Sequence, residues 1–438
     1  MAGGTWTTQN KVRPGVCVNV VSEGKSVGTL GERGIVTFPL AMSWGPSKKV
    51  IEISAGDNVR DLLGYDITAP ELLFVKEAMK RAHKILIYRL NTGVAAKGTV
   101  GSLTATARYS GSRGNDIKVV IQKNIDDDKK FDVITVFAGT PVYTETVHKI
   151  EELVGNAYVG FSGNGELEVT AGLPLTGGSN GTVTNQDHMD YLEAIEVYDF
   201  NAMALPNDEQ SLKSVYTSFV KRLREKEGKK VQIVMPNYSA ADYEGVISVK
   251  NGVVLSDGTI LDEVKATVWV AAATAAAGVN ESLTYTAYDD AVDVDKKYTN
   301  SKIEEALKNG ELLFVQNNGR AVVEQDINTF IAYTPEKGRQ FAKNRVIRVL
   351  DAIGNDIKSI FEKSYIGKVN NNDDGRNLFK NECISYLNSL QGASAIQNFD
   401  SQTDVVILPG DEVDAIYCEL HIQPVDSVEK IYLKATLQ

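Results

Sequence analysis

The chain has 438 residues, of which 43% are hydrophobic and 24% charged, with a net charge of −11 at neutral pH. That length suggests about two to four domains at roughly 100–200 residues each, and the acidic balance argues against nucleic acid or an anionic membrane surface as the main partner. The three cysteines, Cys17, Cys383 and Cys418, have no metal-ligand spacing and read as reduced apolar residues.

In chain order, residues 1–22 read as an arm. Pro14-Gly15 leads into a short strand with Val16, Val18 and Val20 on one face. No signal-peptide apolar run precedes it, so the chain is expected to be made and folded in a reducing cytoplasm. Residues 23–95 read as the N-terminal α/β part of a core. "TAPELLFVKEAMKRAH" is a helix with Thr68 as N-cap, and "ILIYRL" is a buried strand. Residues 96–177 hold short strand-like runs between turn signals, which predict a β-sandwich. "LPLTGGSNGTVTN" follows as a flexible Gly-rich linker; it lacks the Walker lysine and the G-x-G-x-x-G spacing of a phosphate-cradling loop.

Residues 178–335 alternate helices with apolar strands, which implies a mostly parallel sheet with helices on its faces. Thr184 and Asn207 are the candidate N-caps of two helices, and Asn318-Gly319 predicts a tight hairpin turn. "VWVAAATAAAGV" is too short to cross a bilayer, which needs about 20 residues, and reads as a closely packed buried helix. Residues 336–438 form a C-terminal α+β domain. It opens on an amphipathic helix from Phe341 to Lys363, continues through a polar loop, a second helix and two strands, and ends in a terminal arm, 426–438.

No catalytic constellation is expected. The reading finds no nucleophile elbow, and His188, beside Asp187 and Asp190, is taken for part of a solvated helix face. His83, His148 and His421 fall in three other segments. "NNNDDGRN" loosely matches half a calcium loop at Asn370, Asn372, Asp374 and Gly375, but the twelfth position is Asn381 and Glu382 is out of register. Asp289, Asp290, Asp293 and Asp295 read as a solvated loop. The expectation is therefore no catalytic residue, no cofactor and no metal, with a cytoplasmic α/β hydrolase carrying β appendages as the alternative.

The positive signal lies at the end of the chain. In "KIYLKATLQ", Ile431, Leu433, Ala435 and Leu437 alternate with polar or amphipathic neighbours, the period-two pattern of a strand with one buried face. Chain ends usually fray, and an unpaired strand is a template for pairing with another chain. Pro14, Gly15 and Pro424 are the candidate hinges of the two arms. Lys343, Arg345, Arg348 and Lys358 on the amphipathic helix are candidate contacts to an acidic surface.

Several segments together resemble the contractile tail sheath proteins of myophages and phage-tail-like bacteriocins, of the Gram-positive prophage type. These are "GGTWTTQNKVRPGV", "NGELLFVQNNGRAVVEQDINTF" with its "DINT" at Asp326–Thr329, "YIGKVNNNDDGR" and "PVDSVEKIYLKATL". Cys17-Val18 departs from the pattern, since such arms often carry an aromatic there. The resemblance implies a subtilisin-like α/β domain that is not a protease, an inserted β-sandwich, and a C-terminal domain lying nearest a tail tube. It also implies hexameric rings stacked helically around that tube, N- and C-terminal strands exchanged between subunits, and baseplate and tail terminator proteins as further partners. Assembly would take place in the host cytoplasm, without stable membrane insertion.

Overall fold

Strands from both sides of the sandwich region meet in one sheet. Its seven strands run in the order Glu311–Leu312, Val246–Val249, Gln232–Pro236, Ala202–Ala204, Ile35–Leu40, Lys84–Arg89 and Val50–Ser54. All neighbours are parallel except the last pair. The central strands are apolar at nearly every position because helices cover both faces of the sheet.

The structure, a computed structural model, describes the backbone of residues 2–4 and 15–17, residue 31, and residues 33–437. It contains two compact units: Gly31–Asn355 with the segment from Pro424 on, and Asp356–Gln423 with the described N-terminal residues.

In the larger unit, the helix Glu263–Ala276 is buried continuously from Ala266 to Ala275 and shares one core with Leu73–Met79 on one sheet face. It is the expected helix, apolar all round because it is enclosed all round. The helices Asn185–Glu196 and Gln210–Glu225 cover the other face. Thr184 and Asp187 form the reciprocal bonds of a capping box. Asn207 does not cap the second helix, which starts later; its Oδ1 accepts from the Glu209 N–H at 2.7 Å. Asn318 and Gly319 both have positive φ, as the tight turn between Phe314–Asn317 and Arg320–Val323 requires.

Four strands, Thr140–Val147, Phe131–Phe137, Ile117–Lys123 and Thr170–Pro174, form one sandwich sheet; Val159–Ser162, Leu103–Ala107 and Lys97–Val100 form the other. Burial alternates along the inner strands. Trp44, from the α/β body, enters this core against Tyr109, Phe137 and Tyr158, with centroids 5.3, 5.4 and 6.3 Å away. The Gly-rich stretch after the sandwich is not a flexible linker. Val94 and Ser179 exchange backbone bonds at 3.1 and 3.0 Å, and Lys97 and Thr176 do so at 2.9 Å, so entry and exit strands form a paired neck. Gly181 allows this approach: its φ is +69°, and a Cβ there would lie 1.7 Å from the Thr92 carbonyl.

The helix Asn344–Ser364 begins in the larger unit and ends in the smaller. In the smaller unit, Phe379 on the helix Asp373–Gly392 stacks edge-on against Phe361 and Tyr365, with centroids 5.2 and 5.1 Å away. An antiparallel hairpin of Val405–Pro409 and Ile416–Leu420 packs on that helix. Near the N-terminus, Ala2–Gly4 pairs in parallel with Gly15–Cys17, so Gly15 and Val16 lie in a strand. Pro14, Val18 and Val20 lie outside the described residues.

Candidate functional site

The C-terminal arm has two parts with opposite environments. Ile431, Leu433, Ala435 and Leu437 are all exposed; Ile431 is 82% and Leu433 88% accessible. Among the described residues, 430–437 belong to no sheet of their own chain. Immediately before them, Glu429 is held fast. Its Oε2 accepts from Gln325 Nε2 at 2.6 Å and from Lys343 Nζ, and its Oε1 accepts from Thr284 Oγ1 at 2.9 Å. Asp426 adds a carboxylate 4.0 Å from Lys343. The arm is thus clamped at Glu429, beyond the expected hinge at Pro424, which closes the short strand Gln423–Pro424.

Burial alone would raise the Glu429 pKa, but hydrogen bonds from Lys343, Gln325 and Thr284, with the Lys343 charge, hold it below the usual carboxylate range. The folded value lies below the unfolded one. The clamp is therefore at full strength above the ordinary glutamate range and is lost as pH falls through the depressed value. Charge-assisted hydrogen bonds contribute about 1.5–3 kcal/mol each, and ~1.4 kcal/mol is a factor of ten. Glu429→Ala is expected to speed tryptic cleavage after Lys430 about tenfold or more, with cleavage after Lys434 unchanged. Equal rates at Lys430 in both proteins would remove the clamp from the account.

The four cations on the amphipathic helix segment differ in their surroundings. Lys343 is engaged by Glu429. Arg348 is only 1% exposed; it pairs with Asp326 at 3.4 Å and donates to the Glu281 carbonyl at 2.6 Å. It therefore faces the α/β body, which corrects its assignment to an outer acidic surface. Arg345 is half-buried, with its Nε enclosed. Lys358 is exposed, 4.0 Å from Glu362.

The partner of Arg348 explains "DINT". Asp326 is buried and accepts from the Leu283 N–H at 2.9 Å and from Asn344 Nδ2 at 2.8 Å. Asn328 donates to the Phe341 carbonyl at 2.9 Å, and Thr329 Oγ1 donates to the Tyr243 carbonyl at 3.0 Å. Further along the helix, Asp351 forms a bidentate pair with Arg224 at 2.6 and 2.8 Å, and Asn355 exchanges two 2.8 Å bonds with the Lys230 backbone. Sequence reading missed these locks. Their signal was the spacing of Asn344, Arg348, Asp351 and Asn355, four, three and four residues apart on one helix face.

The hairpin Val405–Leu420 is a two-stranded sheet of its own, with Leu408, Val413 and Tyr417 exposed. Among the described residues each strand has one neighbour, and so one edge unpaired within its sheet.

The candidate chemistry resolves into structure. His188 is buried, not solvated: its Nδ1 lies 2.7 Å from the Tyr216 hydroxyl, and burial lowers its pKa. It pins the helix Asn185–Glu196 to Gln210–Glu225. The G-x-S-x-G spacing does occur, at Gly177 to Gly181, contrary to expectation. Ser179, however, sits in the paired neck, and among the described residues no histidine bonds to it. Asn372 Oδ1 accepts from the Gly375 N–H at 2.9 Å as the N-cap of Asp373–Gly392, so the calcium-like loop is a helix start. Asp289 is not merely solvated: it binds Arg81 at 2.6 Å and Trp269 Nε1 at 2.9 Å. Among the described residues no cluster of acidic, histidine or cysteine side chains could hold a metal ion, and no helix is long and apolar enough to cross a membrane.

Four models of sheath-protein domains match successive parts of the chain. Residues 33–90 match the tail sheath protein Gp18 domain III N-terminal region, 91–180 the phage tail sheath protein beta-sandwich domain, 181–329 the phage tail sheath protein central domain, and 336–438 the phage tail sheath C-terminal domain. The phage-like element PBSX protein XkdK of Bacillus subtilis is 39% identical over 99% of each chain. The solved sheath tail protein of Desulfitobacterium hafniense is 56% identical, over 96% of this chain and 99% of that one, with a TM-score of 0.87. The helical sheath of the anti-feeding prophage in its contracted state shares the fold at a TM-score of 0.56 and 12% identity, over 99% of this chain and 100% of that one. The chain belongs to the phage tail sheath family.

Proposed function

We propose that this sheath subunit polymerises as stacked hexameric rings around a tail tube by exchanging its terminal strands, and contracts to drive the tube through a bacterial envelope. The observation that carries the reading is the clamped, exposed arm: apolar alternation over 431–437 with, among the described residues, no sheet in its own chain. The acceptor is the Val405–Leu420 hairpin of a neighbouring subunit, each of whose strands has a single neighbour among the described residues. At about 3.3 Å per residue, an arm of this length reaches roughly 25 Å.

The domain plan is an N-terminal arm, a subtilisin-like α/β core built from 23–95 and 178–335, an inserted sandwich at 96–177, and the C-terminal sheath domain. The parallel sheet with helices on both faces supports the core assignment. The role is structural and not enzymatic, since the only histidine of the α/β core after the sandwich is committed to Tyr216. The energy for contraction is stored in the lattice at assembly, on a tube, between a baseplate and a tail terminator, in the host cytoplasm. A reconstruction of the assembled particle tests the reading. Expected are hexameric rings with 431–437 hydrogen-bonded to Val405–Pro409 or Ile416–Leu420 of a neighbour. Arms folded back on their own subunit would overturn it.

A further inference from the structure

Two cysteines far apart in sequence are brought together in the smaller unit. Cys383 lies on the buried side of the helix Asp373–Gly392, with Phe379, Tyr386 and Leu387. Cys418 lies on Ile416–Leu420, directly across from Ile407. The pleat sets Cys418 on the same hairpin face as Ile407 and Val405, and Val405 is buried where the hairpin packs on that helix. Both thiols are free, Cys383 is buried and Cys418 exposed, and each perturbs the titration of the other.

We propose that Cys383 and Cys418 are a reversible dithiol–disulfide pair that staples the hairpin to its supporting helix when a low-molecular-weight disulfide, such as oxidised glutathione, is present. The interaction with Cys383 lowers the Cys418 thiol from its usual range, while the interaction with Cys418 and then burial push Cys383 up. Cys418 is the attacking thiol because it is the exposed one of the two, and Cys383, buried behind it, is the resolving one. Its thiolate bonds to one sulfur of glutathione disulfide, the glutathione S–S bond breaks, and one glutathione thiolate leaves and takes up a proton. Cys383 then gives its proton to solvent and attacks Cys418 Sγ in the mixed disulfide, expelling the second glutathione thiolate. Two cysteines are oxidised by two electrons, and one glutathione disulfide is reduced to two thiols.

A two-stranded hairpin is marginal without support. A covalent tie to the helix would hold it as a fixed edge for an incoming strand; that consequence rests on the strand-exchange reading, whereas the bond does not.

The test uses the full chain carrying Cys17→Ser, incubated with oxidised glutathione. The expected product is lighter by two hydrogens, carries no glutathione, and links the Cys383 and Cys418 peptides. Amide exchange in Ile416–Leu420 should slow by about tenfold or more. Adding Cys383→Ser should trap glutathione on Cys418, because the resolving thiol is gone; adding Cys418→Ser should leave Cys383 unmodified. Glutathione accumulating on Cys418 in the chain that keeps both thiols, or unchanged hairpin exchange in the linked product, would overturn the proposal. The strand-exchange reading fails separately: the disulfide would still form, but the reconstruction would show arms on their own subunits.

Discussion

Deleting residues 430–438 is expected to leave a stable, folded monomer that forms no sheath. None of residues 430–437 belongs to a buried core, and among the described residues none lies in a sheet of its own chain. The urea midpoint of the monomer should therefore shift by no more than about 0.5 kcal/mol equivalent, as for other exposed sites. Assembly depends on what the arm gains elsewhere. Each backbone hydrogen bond contributes about 0.5–1.5 kcal/mol net, while ordering each residue costs about 1–2 kcal/mol. Those two effects nearly offset each other. The sign is set by the apolar side chains, at about 1.5–3 kcal/mol for each fully buried Leu or Ile. Leu433→Asp with Leu437→Asp should therefore abolish assembly as completely as the deletion, with the backbone intact. Glu429→Ala should only weaken it, because it loosens the arm's root and leaves its contact face alone. Sedimentation and electron microscopy of the purified proteins decide the matter: tubes of normal length from either the deletion or the double aspartate variant would end the strand-exchange account.

Much of the fold was legible because its local rules are strong. The buried helix Glu263–Ala276, the Thr184 cap and the Asn318-Gly319 turn each follow from a few neighbouring residues. Sheet order was not legible. Ile35–Leu40 and Ala202–Ala204 are neighbours in the sheet although the sandwich intervenes between them in sequence. Periodicity reports which face of a strand is buried, not which strand lies beside it.

Two misreadings, of His188 and Arg348, share one physical cause: a polar residue on an inward face was taken for an outward one. His188 repeats at helical spacing with Tyr191, Leu192 and Ile195, all buried, so its face was apolar and its partner had to be internal. Glu429 has the same parity as Ile431, Leu433 and Ala435, yet its side chain is 11% exposed while theirs face outward. Alternation alone carries no information about whether a face meets its own subunit or another. The glycines at 177, 178 and 181 were read as flexibility, when Gly178 and Gly181 serve close backbone approach in a paired neck.

Asp326→Ala is expected to destabilise the larger unit by about 3–5 kcal/mol, because it leaves a buried guanidinium without its counter-charge. Arg348 would keep only the Glu281 carbonyl, and its Nε already has no partner. The same change strips acceptors from the Leu283 N–H and from Asn344 Nδ2. A domain is typically stable by only about 5–15 kcal/mol, so a large share of its stability rests on this one carboxylate. Asp326→Asn should cost less than Asp326→Ala, since it keeps an acceptor for Leu283. Asp326→Asn combined with Arg348→Met should cost less than the sum of the two single changes, because removing both charges leaves neither buried alone. This reverses the expectation for Arg348 as an outward contact. On that view Arg348→Glu would leave the monomer sound and alter only the sheath. With Arg348 buried against Asp326, charge reversal sets two carboxylates together in the interior, and the monomer itself should fail to fold. Urea unfolding of the isolated variants separates the two: a stable Arg348→Glu monomer with a normal midpoint would return Arg348 to the surface and dissolve the lock assigned to Asp326.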